Sequence, residues 1–240
     1  MKIGGLEKLS LLDYPGCLSA IVFTVGCNFR CHFCYNPMLV WPSSELDGIQ
    51  NKEKGFSQIS EEDLFLFLKD RVGKIEGVVI TGGEPTMHAD LPEFIKKIRA
   101  LGFKIKLDTN GTIPEMVKRV IDEKIIDYIA MDLKAPFEKY EAVVGVPIDC
   151  QKIAESVKIV IESGLPHEFR TTVTPGLLEK DDFSKMGQII QGADAWYLQK
   201  FKSDTDLVDP LLQGRAAFSS KEMEEMAEIG SNFVKICQLR

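Results

Sequence analysis

Short apolar runs recur along the chain at 18–25 (LSAIVFTV), 77–81 (GVVIT), 103–109 (FKIKLDT), 126–133 (IDYIAMDL), 169–174 (FRTTVT) and 194–201 (DAWYLQKF). Most are continuous rather than alternating, which predicts parallel strands covered on both faces. Segments with helical spacing fall between and after them, at 60–72, 91–101, 114–124, 151–163, 181–191 and 220–237. Ser60 precedes an acidic first turn, Asp90 precedes an early proline (Pro92), and Ser219 stands three residues before Glu222. All three are helix-start signals. The alternation predicts an α/β fold of six βα units in a single domain over 1–240, with no internal repeat. Residues 36–58 lack either period and read as a long loop over the surface, or a lid.

Composition changes little in that picture. With 45% hydrophobic and 27% charged residues the 240-residue chain can bury a full core, which excludes disorder as its main state. The net charge of −7 argues against non-specific nucleic-acid binding. No stretch of about 18 uncharged apolar residues exists, and the N-terminus lacks the apolar segment of a signal peptide. These features predict a soluble cytoplasmic protein without membrane contact.

The cysteines change the picture. Six occur, at 17, 27, 31, 34, 150 and 237, and three of them crowd into eight residues. In a reducing compartment such a cluster points to metal rather than to disulfides. Cys27, Cys31 and Cys34 are spaced Cys-x3-Cys-x2-Cys directly after an apolar strand, where barrel-type active sites assemble. Three thiolates on one loop can ligate three irons of a cubane cluster and leave the fourth open to substrate. Zinc is the alternative, with His32 as fourth ligand, but its ring stands next to Cys31 and reaches the same ion poorly. Cys17, Cys150 and Cys237 have no spacing partners and read as packing residues.

The segment resembles the radical S-adenosylmethionine (SAM) enzymes, whose signature is Cys-x3-Cys-x-aromatic-Cys, with Phe33 at the aromatic position. The resemblance implies an incomplete (β/α)6 TIM-like barrel, a 4Fe-4S cluster on Cys27, Cys31 and Cys34, and SAM chelated at the open iron. Thr81-Gly82-Gly83-Glu84-Pro85 taken alone is an ordinary βα turn. In this company it resembles the motif that holds the amino group of SAM. Asp108-Thr109-Asn110-Gly111 reads alone as a turn, and Asp132-Leu133-Lys134 as an ion pair. Both, with Tyr35-Asn36-Pro37 and Arg170, resemble segments of glycyl-radical activating enzymes. By that resemblance Phe33, Tyr35, Gly82, Gly83, Glu84, Asp108, Asn110, Asp132, Lys134 and Arg170 surround SAM. Asp108 and Asp132 would meet ribose hydroxyls or a monovalent cation, and Lys134 the SAM carboxylate.

The implied reaction is reductive cleavage of SAM and abstraction of a glycine Cα hydrogen from a partner enzyme. An incomplete barrel leaves a lateral opening wide enough for a peptide loop. Pyruvate formate-lyase activases carry a histidine near the end of the sixth strand, where this chain has Leu198-Gln199-Lys200-Phe201. That departure favours the activase of anaerobic ribonucleotide reductase, served by an electron donor such as flavodoxin or ferredoxin. The nearest alternative is a 7-carboxy-7-deazaguanine synthase, which typically has Asp-Thr where Tyr35-Asn36 stands.

Overall fold

The computed structural model describes residues 1–41 and 59–240. Eight strands run in chain order through one sheet: β1 (Ile3–Ser10), β2 (Ser19–Thr24), β3 (Gly77–Gly82), β4 (Lys104–Thr109), β5 (Tyr128–Asp132), β6 (His167–Val173), β7 (Ala195–Lys200) and β8 (Ile236–Leu239). The six expected strands are β2 to β7, each within two residues of its expected bounds. They belong to an α/β architecture with a mostly parallel sheet. Two further strands flank them. β1 pairs antiparallel with β2, and β8 adds in parallel to β7.

The helices are α1 (Pro37–Val40), α2 (Glu61–Arg71), α3 (Leu91–Arg99), α4 (Pro114–Asp122), α5 (Tyr140–Val144), α6 (Cys150–Glu162), α7 (Asp182–Ile189) and α8 (Ser220–Gly230). Two expectations need correction. The last helix stops at Gly230 instead of reaching 237, because Asn232 donates through Nδ2 to the carbonyls of Glu228 and Ile229 and ends it. The expected loop 36–58 opens with the short helix α1, and its residues 42–58 lie outside the described residues.

The chain divides into two compact units. The first comprises Met1–Asn28, Met38–Thr109 and Glu115–Tyr128 and contains β1 to β4. Strands β2 to β4 are buried on both faces, with Val22, Val78, Val79, Ile80, Ile105 and Leu107 all fully enclosed. α3 turns Leu91, Phe94, Ile95 and Ile98 inward, one face of a 3.6-residue period. Ser60 accepts from the amide of Asp63 to cap α2, whereas Asp90 makes no side-chain cap for α3.

The second unit comprises Phe29–Pro37, Asn110–Pro114 and Ile129–Arg240. Phe183 stacks on Trp196 (5.7 Å between centroids), and the indole Nε1 donates to Thr171 Oγ1 at 2.9 Å. Burial of such side chains contributes about 1.5–3 kcal/mol each. Ser219 and Glu222 form the expected capping box on α8. Among the described residues no helix is long and apolar enough to cross a membrane.

Candidate radical SAM site

In the first unit the candidate residues begin with a stretch of backbone. β2 ends at Thr24 and the chain runs through Gly26 to Cys27, whose amide donates to Val40 O of α1 at 3.1 Å. The Gly82–Gly83 turn at the end of β3 lies flush against this segment. Gly83 N donates to Thr24 O (2.9 Å) and Glu84 N to Gly26 O (2.8 Å). A Cβ on Gly83 would stand 2.0 Å from Gly26 O, and one on Gly82, at φ +120°, 2.2 Å from Thr24 N. Glycine is required because no side chain fits between these backbones.

Glu84 follows, 1% exposed, and its Oε1 accepts from Thr86 N (3.0 Å), Thr86 Oγ1 (2.5 Å) and Thr109 Oγ1 (2.7 Å). The carboxylate therefore ties the end of β3 to the end of β4. Asp108 pairs with Lys106 at 3.1 Å, and Lys106 also donates to Asp13 O at 2.6 Å. Lys106 is fully buried, with its ammonium 5.6 Å from the centre of the Tyr128 ring. Sequence reasoning does not single it out. The available signal is a lysine inside an apolar strand, two residues from Asp108 and so on the same face.

In the second unit the candidate residues act through side chains. Asp132 and Arg170 are register partners on β5 and β6, and Arg170 Nε donates to Asp132 Oδ1 at 2.9 Å. Lys134 Nζ donates to Oδ2 of the same carboxylate at 2.9 Å. Burial alone would raise Asp132, but the two cations outweigh it and hold the carboxyl at about 2. Burial likewise opposes the charge on Lys134, and Asp132 overcomes it, so the ammonium persists far above neutral pH. That ammonium lies 5.7 Å from the centre of the Phe33 ring in the cysteine loop.

The loop itself is folded. Cys34 N donates to Cys31 O (3.0 Å), Arg30 N to Val144 O (2.8 Å), and Phe29 packs edge-on against Tyr140. The Tyr35 hydroxyl accepts from Lys202 N at 2.9 Å. Asn110 Oδ1 accepts from the amide and hydroxyl of Thr112, which closes the turn after β4. Gln199, at the place of the missing histidine, is in register with Thr172.

The donor chemistry fits an iron–sulfur cluster. Burial pushes the Cys31 thiol up to about 12 against the pull of Lys134, and burial raises Cys34 as well. Thiols so placed carry protons until a cation displaces them. The six cysteines form no disulfide with one another. Among the described residues no three His, Cys, Asp or Glu side chains are gathered in ligating geometry. Assignment of the ligand trio therefore rests on loop spacing and thiol chemistry.

Comparison with known proteins decides the family. The model of the Radical SAM superfamily matches residues 21–186. The chain belongs to the radical SAM superfamily. Members of this enzyme family work with a 4Fe-4S cluster and SAM.

A Methanocaldococcus jannaschii protein provisionally named a glycyl-radical enzyme activating enzyme is 29% identical over 97% of this chain and 92% of its own length. A Saccharolobus solfataricus protein provisionally named GTP 3′,8-cyclase is 28% identical over 60% of this chain and 44% of its own length. Among solved structures, Streptococcus suis SuiB bound to the precursor peptide SuiA superposes with a TM-score of 0.68 at 14% identity, over 92% of this chain and 48% of SuiB. A domain of the pyruvate-formate lyase-activating enzyme of Bacteroides vulgatus gives a TM-score of 0.54 at 17% identity, over 68% of this chain and 98% of that domain. Both structures share the fold.

Proposed function

We propose that this radical SAM enzyme is a glycyl-radical activating enzyme whose partner is an anaerobic ribonucleotide reductase. The observation that carries the reading is similarity along nearly the whole of both chains to the M. jannaschii protein of that provisional name. Tyr35-Asn36-Pro37 and Asp132-Leu133-Lys134 support it. When bound, the cluster supplies the electron that cleaves SAM to methionine and a 5′-deoxyadenosyl radical, which takes a hydrogen atom from a glycine Cα of the partner. A flavodoxin or ferredoxin serves as electron donor.

The chain's own residues bind and orient. Cys27, Cys31 and Cys34 hold three irons. The Gly82–Gly83 backbone offers carbonyl oxygens to the SAM ammonium, because its glycines leave that backbone bare. Glu84 secures this turn through Thr86 and Thr109. Lys134 and Arg170, both bonded to Asp132, present cationic groups suited to the SAM carboxylate. Asp108 and Asn110 face the ribose or a monovalent cation, and Phe33 and Tyr35 close the loop around the cluster.

Anaerobic reconstitution tests the ligand set first. Cys27→Ala, Cys31→Ala and Cys34→Ala should each lose the cluster, while Cys17→Ala, Cys150→Ala and Cys237→Ala keep their iron. Loaded enzyme with SAM, dithionite and whole anaerobic ribonucleotide reductase should then give the doublet paramagnetic signal of a glycyl radical. SAM cleavage without that signal on any glycyl radical enzyme, alongside turnover of a purine-derived small molecule, contradicts the reading.

A further inference from the structure

The segment after β7 has no part in the reading above, yet it grips the second half of the cysteine loop. Phe201 to Gly214 closes on itself in the manner of a compact surface loop. Gly214 N donates to Ser203 O (3.0 Å), Gln213 Nε2 to Thr205 O (3.3 Å), and Asp209 caps the short helix Pro210–Leu212 through Leu211 N. Phe201, Leu207 and Leu212 are buried and anchor it.

Backbone hydrogen bonds and a ring stack join this strap to the loop. Val208 N donates to Cys34 O (3.2 Å) and Asp209 N to His32 O (3.0 Å). Lys202 N donates to the Tyr35 hydroxyl (2.9 Å), and the Tyr35 ring stacks on Phe201 with 22° between planes. In addition His32 Nδ1 lies 3.4 Å from Asp209 Oδ2. The opposite end of the loop is held separately, by Val144 O on Arg30 N and by Gly145. At φ +71° that glycine approaches so closely that a Cβ would stand 2.7 Å from Arg30 O.

We propose that residues 202–209 are a brace that holds the backbone of the loop carrying Cys31 and Cys34 and governs how long the cluster stays bound. The proposal rests on the cluster reading. A cluster held by thiolates on one loop leaves when that loop opens, and each interaction that must break before the loop can open makes opening rarer. The brace supplies such interactions without touching the thiols. Tyr35, His32, Lys202 and Asp209 are positioning residues in this scheme.

The test uses Tyr35→Phe, which removes only the hydroxyl that accepts from Lys202, and His32→Gln, which removes the imidazole beside Asp209. Two readouts are taken. In cluster-free full-length protein, amide hydrogen exchange at Lys202, Val208 and Asp209 reports the brace itself. In reconstituted protein, the rate of iron release to excess ferrous chelator reports its hold on the cluster. The expected result is faster exchange at these amides and iron release, per iron bound at the start, faster by about tenfold per variant. Faster exchange with unchanged iron release overturns the proposal, because the strap then secures only itself. Unchanged exchange and release overturn it as well. Failure of the wild-type chain to take up iron overturns the cluster reading and the brace with it, and wild-type loading alone reveals that outcome.

Discussion

The two units hold their candidate residues by different means. In the first, the Gly82–Gly83 turn works through what it lacks, since any side chain would collide with Thr24 or Gly26. In the second, Asp132, Lys134 and Arg170 work through what they carry, one carboxylate with each of two cations 2.9 Å from it. A steric device fails abruptly and at any pH. An electrostatic one fails by degrees and only where its groups titrate. The contrast teaches which measurement suits each half.

The largest effect is expected from Gly83→Ala. Its Cβ must displace backbone and with it two hydrogen bonds, at a cost of about 3–5 kcal/mol. The melt of the cluster-free protein should fall by roughly 10 °C. Gly102→Ala, also at positive φ but with open space around it, should lose only about 1–2 kcal/mol. Equal losses in the two variants would mean that the turn yields and is no steric device.

Asp132→Asn comes next. It leaves Lys134 and Arg170 without the carboxylate they share, and the depressed carboxyl of Asp132 corresponds to about 2 kcal/mol. A folded-state value near 2 lies below the usual carboxylate value of about 4, so this stability is fully present above pH ~4. It is lost as pH falls from there through ~2. Denaturant midpoints of wild type and variant should thus differ at neutral pH and converge in that acid window. A pH-independent gap would mark the triad as packing rather than charge.

The smallest effect is expected from Thr109→Val, which removes one of three donors from Glu84 Oε1. About 1 kcal/mol should be lost, read as a shift in urea midpoint at unchanged slope. SAM affinity should fall in Thr109→Val together with stability, since Glu84 ties the Gly82–Gly83 turn to the end of β4. Unaltered SAM affinity would separate the two ends of this bracket.

Much of this is legible in the chain. Parallel strands buried on both faces leave continuous apolar runs, so β2 to β7 stand out, and the serines that cap α2 and α8 mark their starts. β1 escapes because IGGLEKLS mixes glycine and charge, and β8 because four residues at a sheet edge carry no period. The cysteine trio and its aromatic neighbour announce themselves by spacing. The partners of Glu84, Lys106 and Tyr35 do not, because Thr109, Asp13 and Lys202 lie 25, 93 and 167 residues away. Local sequence shows which groups can form hydrogen bonds, whereas burial at a distance selects which of them do.

The central claim is that the hydrogen comes from a glycine of another polypeptide. Its most direct measurement uses anaerobic ribonucleotide reductase carrying α-deuterated glycine, incubated with reconstituted enzyme, SAM and reductant. Deuterium appearing in 5′-deoxyadenosine, in step with a glycyl radical on the reductase, is the expected result. Undeuterated 5′-deoxyadenosine formed at an undiminished rate, with no radical on the reductase, would contradict it.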